Sequence, residues 1–219
     1  MEFKTRRICM DGHMPKLTKI FCITGKAGHG KDTLASYMKS SLEERGNAVL
    51  VIHNADLLKH ICQNVFGWNG EKDEAGRTFL QCVGTDVVRA QNPDFWVNFI
   101  MSILRLFPDY WDYVIIPDCR FPNEIDRLKE EGFDVVAVKV VRDGEANSLS
   151  EAQAAHPSET AMDAYPCDWT LHCRTKNELY NAACAVLNKE CGVNSLHEAL
   201  HETFEAFARS VNQKSEDRG

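Results

Sequence analysis

Apolar residues along this chain of 219 residues follow two rhythms. Short runs rich in β-branched side chains and bounded by turn residues read as buried parallel strands: "KIFCIT" at 19–24, "DYVIIPD" at 112–118 and "FDVVAVKVV" at 133–141. "AVLVIH" at 48–53 and "DWTLHC" at 168–173 are weaker forms of the same signal. Between them, apolar positions recur at helical spacing: Leu34, Met38 and Leu42; then Leu58, Ile61, Cys62 and Val65; then Phe79, Val83 and Val87. Trp96, Phe99, Ile100, Ile103, Leu104 and Phe107 make the strongest stripe. Strands that alternate with helices predict an α/β fold with a mostly parallel five-stranded sheet and helices on both faces.

Two stretches interrupt the alternation. Residues 54–110 hold more helices than a crossover between the second and third strands requires, and are read as a helical insertion. Residues 143–167, polar and Pro-containing, predict a mobile loop or short helical lid between two strands. Residues 1–17 are basic but lack the apolar stretch of a secretory signal, so they are expected to form a loose leader to a core at 18–190. Residues 191–219 are read as a C-terminal amphipathic helix (Leu196, Leu200, Phe204, Phe207, Val211) with a charged tail, "QKSEDRG". The chain has no internal repeat.

Composition narrows the function. Apolar residues at 44% and charged residues at 26% are globular values, and no apolar run approaches a membrane span, so a soluble protein without a membrane partner is expected. Nine cysteines, an odd number with no C-x-x-C pair and no zinc spacing, mostly in apolar contexts, fit reduced thiols in a cytoplasmic protein. A formal net charge of -7 argues against broad nucleic-acid binding, though a local arginine cluster can still serve a small anion.

"GKAGHGKDT" at 25–33 follows the first strand and opens a helix pattern. It matches the phosphate loop G-x-x-x-x-G-K-[ST] except that Asp32 stands where Ser or Thr is usual. Chance alone places G-x-x-x-x-G-K in a chain this long with a probability of roughly 5%, and the strand–turn–helix context reduces that to a few per cent, so the loop is read as real. Gly25, Gly28, His29, Gly30, Lys31, Asp32 and Thr33 are therefore the candidate nucleotide ligands. Backbone N–H groups from Gly28 to Thr33 would face the β-phosphate, Lys31 would span the β- and γ-phosphates, and the Thr33 hydroxyl would bond the α-phosphate. A bare carboxylate here repels a triphosphate. A hard cation removes the conflict, so Asp32 is a candidate Mg²⁺ ligand, against its simpler role as an acid in a helix's first turn.

Asp118 ends the strand "YVIIPD", where it would meet the metal shell or the acceptor, or else cap the helix at "FPNEIDRL". Arg77, Arg89, Arg120 and Arg142 stand at element ends, and together they suit phosphate recognition because a guanidinium grips phosphate bidentately. His156 in "HPSE" reads as a loop or capping residue. The tryptophans read as core, with Trp96 the one allowed near a base, and "EKDE" and "KEE" read as solvated faces.

These blocks, with "ADLLK" at 55–59, "RTFLQCVGTDVVR" at 77–89, "DFWVNF" at 94–99, "YVIIPDCRFPNEID" at 113–126, "VVRDG" at 140–144 and "HPSETAMD" at 156–163, resemble in order the bacteriophage deoxynucleoside monophosphate kinases. The resemblance covers about residues 18–190. It implies a P-loop kinase with a monophosphate-binding insertion at 54–110 and a lid at 143–167, transferring the γ-phosphoryl group of ATP to a dNMP with Mg²⁺. On that reading Lys31, Arg120 and Arg142 serve catalysis, Asp32 and Asp118 the metal, and Lys59, Arg77, Arg89, Trp96, Asp118 and Arg120 the small-molecule acceptor; a homodimer is left open. One departure is plain: monophosphate kinases generally carry lid arginines, and between Arg142 and Arg174 this chain has neither Arg nor Lys.

A phosphate acceptor is already anionic and needs no general base. A kinase acting on a hydroxyl, such as one resembling the dephospho-coenzyme A kinases, would need one. Asp56 is placed for it after the second strand, or else caps the helix from Leu57 to Phe66. A nucleotide-binding regulator without transfer is the third alternative.

Overall fold

The computed structural model describes residues 18–144 and 149–192; the expected leader and the expected C-terminal amphipathic helix and tail lie outside the described residues. Five strands, β1 (Lys19–Thr24), β2 (Val49–Val51), β3 (Tyr113–Ile116), β4 (Asp134–Arg142) and β5 (Trp169–Cys173), form one parallel sheet in the order β2-β3-β1-β4-β5. These are the five runs read from the sequence. Parallel strands share their carboxyl edge, and ligands in open α/β sheets bind outside that edge where the strand order reverses. Here the reversal lies between β1 and β3. The phosphate loop leaves β1 and Asp118 leaves β3, so the topology sets both beside one crevice.

Burial on two faces explains why the strands read as continuous apolar runs. Phe21 and Ile23 of β1 pack with Leu34, Met38 and Leu42 of α1 (Lys31–Glu43) and with Val186 and Leu187 of α8 (Lys176–Cys191). Ile20 and Cys22 pack on the opposite face with Val97, Ile100 and Leu104 of α4 (Phe95–Leu106) and with Ile125 and Leu128 of α5 (Asn123–Glu130). Each fully buried large side chain is worth roughly 1.5–3 kcal/mol. A third, small cluster of Leu58, Cys62 and Trp96 holds the segment between β2 and β3, with α2 (Ala55–Asn64) and α3 (Glu74–Gln81) around it.

Two helical stripes differ from expectation. Val83 and Val87 belong to a π-helical segment, Cys82–Arg89, that continues α3. The wider π turn means that residues four apart no longer share a face, so Val83 packs in the small cluster while Val87 is exposed. On α4 the buried face includes Val97 and Met101, whereas Phe107, just beyond the helix, is exposed. That face is wider than the expected stripe because α4 serves both the sheet and the small cluster.

The stretch expected to be a mobile loop or short helical lid is, from residue 150 to 165, a docked strap of two short helices, α6 (Glu151–Ala155) and α7 (Pro157–Thr160). A capping box between Ser150 and Gln153 starts α6, and His156 caps α7 by accepting from the Ser158 N–H, the capping role read for it. The Gln153 side chain is buried, with Nε2 donating to the Glu74 carbonyl (2.9 Å) and to Thr78 Oγ1 (3.0 Å). Met162 enters the sheet core, and Tyr165 donates to Asp126 Oδ1 at 2.7 Å. Composition alone reads such polar residues as solvated, because their partners are backbone groups of distant elements. The eight described cysteines are free thiols, and Cys82 is exposed where an apolar context was expected for most.

Candidate active site

Between β1 and α1 the chain turns through glycines that no other residue can replace without strain. Gly25 has φ +140°, and a Cβ there would lie 2.4 Å from the Val140 carbonyl oxygen, so the loop rests directly on β4. Gly30, at φ +92°, is the N-cap position of α1. Lys31 is buried and donates from Nζ to the Gly25 and Lys26 carbonyls, both at 2.8 Å. Burial, then the nearby charge of Arg120, lowers its pKa to about 7. The lysine therefore folds back on its own loop, close to where phosphate oxygens would replace those carbonyls.

Asp32 opens the first turn of α1 with an exposed carboxylate whose Oδ1 lies 3.1 Å from His53 Nε2. This hydrogen bond holds the Asp32 carboxyl below its ordinary range and raises the His53 imidazole. His53 follows β2, and its Nδ1 is 3.3 Å from Asp56 Oδ2.

Asp118 is an N-terminal cap, but of a different helix from the one expected. Its Oδ1 accepts from the Asn54 N–H (2.8 Å) and its Oδ2 from the Ala55 N–H (3.0 Å), so it seals α2 across the sheet edge. The turn before α5 is served instead by Glu124, which accepts from the N–H groups of Arg120 (2.6 Å) and Phe121 (3.2 Å). Asp56 is the second residue of α2, whose N-cap position is Asn54, so the expected start at Leu57 is corrected by two residues. The Asp56 carboxylate accepts from the His53 N–H (2.9 Å) and from Lys59 Nζ (3.2 Å).

A cavity of about 670 Å³ lies between these elements. Gly28, Lys31 and Asp32 line it on the loop side, Lys59, Arg77, Arg89 and Trp96 on the insertion side, and Asp118 and Arg120 at the junction. Of the candidate site residues, Gly25, His29, Gly30, Thr33 and Arg142 are not among its lining, and neither is Asp56. His29 turns its ring towards β4, with Nδ1 3.2 Å from the Val140 carbonyl oxygen. Arg142 ends that strand beyond it.

The lining residues differ in what occupies them. Arg89 is buried, ion-paired through Nη2 with Glu124, bonded through Nη1 to the Pro93 carbonyl (2.9 Å) and Asn123 Oδ1 (3.1 Å), and stacked 3.9 Å over the Phe121 ring. Its Nε alone lacks a partner. Burial lifts the Glu124 carboxyl to about 7 against the pull of Arg89. Trp96 is core, as the tryptophans were read: its Nε1 donates to the Gly84 carbonyl at 3.0 Å and fixes the π-helical segment. Arg120, by contrast, is half-buried and among the described residues engages only through Nη1, to Glu159 Oε1 at 2.5 Å and the Ser158 carbonyl at 3.4 Å.

Four positions that line the cavity escaped the sequence reading. Lys72, inside the run read as solvated, lines the cavity beside Lys59 and Arg77, and burial followed by the charge of Lys59 lowers its pKa. His53 had one usable signal, its place at the carboxyl end of a strand. Glu124 and Glu159 stood inside the family-like blocks "YVIIPDCRFPNEID" and "HPSETAMD", but gave no signal of their own, since a buried glutamate is recognised only by its partner.

Among the described residues no group of three or more His, Cys, Asp or Glu side chains could hold a metal by itself. Mg²⁺ commonly rests on one or two carboxylates plus substrate phosphates and water. Asp32 fits that pattern, being exposed on the cavity wall, and Asp118 keeps a second lone pair on each oxygen beside the N–H it accepts.

A family model described as deoxynucleotide monophosphate kinase matches residues 42–175. A search of curated proteins finds no match. Among solved structures, an unliganded sugar kinase from Janibacter sp. HTCC2649 is similar at 14% identity and TM-score 0.49, covering 81% of this chain and 99% of its own. The Mycobacterium tuberculosis APS kinase CysC, in complex with AMPPNP and APS, is similar at 14% identity and TM-score 0.48, covering 80% of this chain and 99% of its own. Within the described residues, no helix is long and apolar enough to cross a membrane. The site itself joins a phosphate loop to a wall of cations around one space, a layout suited to bringing two anionic groups together.

Proposed function

The chain belongs to the deoxynucleotide monophosphate kinase family, and from that premise we propose that it transfers the γ-phosphoryl group of ATP to a deoxynucleoside monophosphate, giving the diphosphate. The observation that carries this reading is the single cavity lined by Lys31 and Asp32 on one wall and by Lys59, Lys72, Arg77 and Arg120 on the others. Two phosphate-bearing substrates repel each other, so catalysis of their reaction consists largely of positioning and charge neutralisation.

Lys31 exchanges its two loop carbonyls for oxygens of the triphosphate. Arg120 lies at the junction between donor and acceptor, where it neutralises charge on the group in transit. Lys59, Lys72 and Arg77 hold the acceptor on the insertion side. Mg²⁺, bound at Asp32 with Asp118 as an outer partner, would supply a further positive charge on the phosphate oxygens.

Asp56 favours a phosphate acceptor over a hydroxyl. The carboxylate that a hydroxyl acceptor would need as a base lies outside the cavity lining and is engaged by the His53 N–H and Lys59. The test is an ADP-release assay with ATP against dAMP, dGMP, dCMP, dTMP, modified pyrimidine monophosphates and dephospho-coenzyme A. Release with one or more monophosphates is expected. Release with dephospho-coenzyme A alone would overturn the reading.

A further inference from the structure

The strap from residue 149 to 167 contains neither Arg nor Lys, yet it lies against the phosphate loop. What it brings there is a carboxylate. The Glu159 side chain is 7% exposed, and its two oxygens part company: Oε1 meets Arg120 Nη1 at 2.5 Å, and Oε2 accepts from the Ala27 N–H of the phosphate loop at 3.1 Å. The Glu159 backbone is fastened as well, its carbonyl accepting from Lys26 Nζ at 2.5 Å, while Lys26 also pairs with Asp163 at 2.5 Å. Glu159 therefore ties three separate pieces together, namely the phosphate loop, the turn after β3 and the strap.

The contacts of Arg120 show what this tie does. Its side chain bonds only through Nη1, so the edge formed by Nε and Nη2 engages no described group, and Arg120 lines the cavity. A guanidinium held along one edge presents the other in a fixed plane, and that second edge is the fork that takes a phosphate bidentately. Long side chains otherwise lose rotamer freedom when they bind, and a preformed grip removes that cost from the binding step.

We propose that Glu159 is a positioning residue for phosphoryl transfer, holding Arg120 by Nη1 so that its Nε–Nη2 edge receives the acceptor's phosphate. The inference rests on the monophosphate reading above. The strap then acts on the reaction from outside the substrate: it supplies no cation of its own and orients one that belongs to the sheet edge.

The test is a cycle of wild type, Glu159→Gln, Arg120→Lys and the double variant, with KM measured separately for ATP and for the accepted dNMP. In each single variant the dNMP KM is expected to rise about tenfold, the scale of one charge-assisted hydrogen bond. The ATP KM should stay within about twofold, and the double variant should be no worse than Arg120→Lys, because coupled residues are not additive. Additive losses, or equal rises in both KM values, overturn the proposal, since a merely structural glutamate would produce them. Should Glu159→Gln fail to fold, Glu159→Asp replaces it; one methylene shorter, it cannot reach both partners, and the same split is expected. If the wild type phosphorylates no monophosphate, the functional reading falls separately. The role of Glu159 is then scored on binding of inorganic phosphate to protein saturated with a non-hydrolysable ATP analogue, where equal affinity in wild type and Glu159→Gln overturns it and about tenfold weaker binding upholds it.

Discussion

The two walls of the cavity are made in different ways. The wall we assign to the nucleotide is one continuous stretch from β1 through the loop into α1, and its shape follows from backbone: the positive φ at Gly25 and Gly30, the direct contact with Val140 and the start of a helix. The wall we assign to the acceptor is assembled from side chains drawn from α2, α3, the π-helical segment and the turn after β3, with the strap behind it. There, Arg120 is held by a partner far away in sequence and Arg89 is given over to structure, while Lys59 and Arg77 lean on partners a turn or so away. A wall made of backbone tolerates change at its rim. A wall made of paired side chains transmits each change to its partner, and two arginines that look alike in sequence, Arg89 and Arg120, take opposite parts in it.

Substitutions can break or sharpen this contrast. The largest expected effect is on the nucleotide wall: Lys31→Ala should lower kcat by at least about 10²–10³, the loss seen when one preorganised donor to a developing charge is removed. Its melting temperature should not fall, because the lysine removed is a buried cation. A turnover near wild type would refute the loop's part in transfer.

Arg89→Ala should act on stability. It leaves the buried Glu124 carboxylate without its counter-ion, at a cost of about 3–5 kcal/mol in denaturant melts at pH 8. Burial already raises the Glu124 pKa to about 7 with Arg89 beside it, and loss of Arg89 raises it further, so between those two values the folded variant holds a proton that the wild type does not and recovers part of the loss. The deficit at pH 6 should therefore be smaller than at pH 8. An equal deficit at both would mean that Glu124 is not what Arg89 compensates.

A smaller effect is expected at Asp32, where Asp32→Ala should raise the Mg²⁺ concentration for half-maximal activity roughly tenfold and Asp32→Ser should recover part of it. Indifference of Asp32→Ala to magnesium would leave the carboxylate only its role in the first turn of α1. The smallest effect is expected at Asp56. Asp56→Asn retains an acceptor for the His53 N–H and should change kcat by less than about threefold, against the 10²–10⁴ that loss of a general base costs. A loss in that range would make the acceptor a hydroxyl.

The phosphate loop, all five strands and the helices between them were legible because each is encoded within a dozen neighbouring residues. The π-helical segment was not, since an apolar period of four reads as an ordinary helix until one extra residue enters the turn. The strap read as a mobile loop or short helical lid; its short helices were thus within the reading, but because Gln153, Ser158 and Glu159 are polar, only their partners reveal that they are held. Asp118 read rightly as an acid at a strand's end and as a possible cap, yet the helix it caps starts 64 residues before it, counted to Asn54.

The sequence by itself determined the order of the five strands and of the helices α1 to α4 between them, the loop with its Asp32, and the presence of several cations between β2 and β3, but not α8. Local backbone preference and burial act over short range, and both are written in neighbouring residues. Only the tertiary structure decided which arginine is buried against Glu124 and which is held by Glu159 with one edge left over. That choice depends on side chains 35 and 39 residues apart meeting at one edge of the sheet, and the free energy of such a pair exists only once the chain between them has folded.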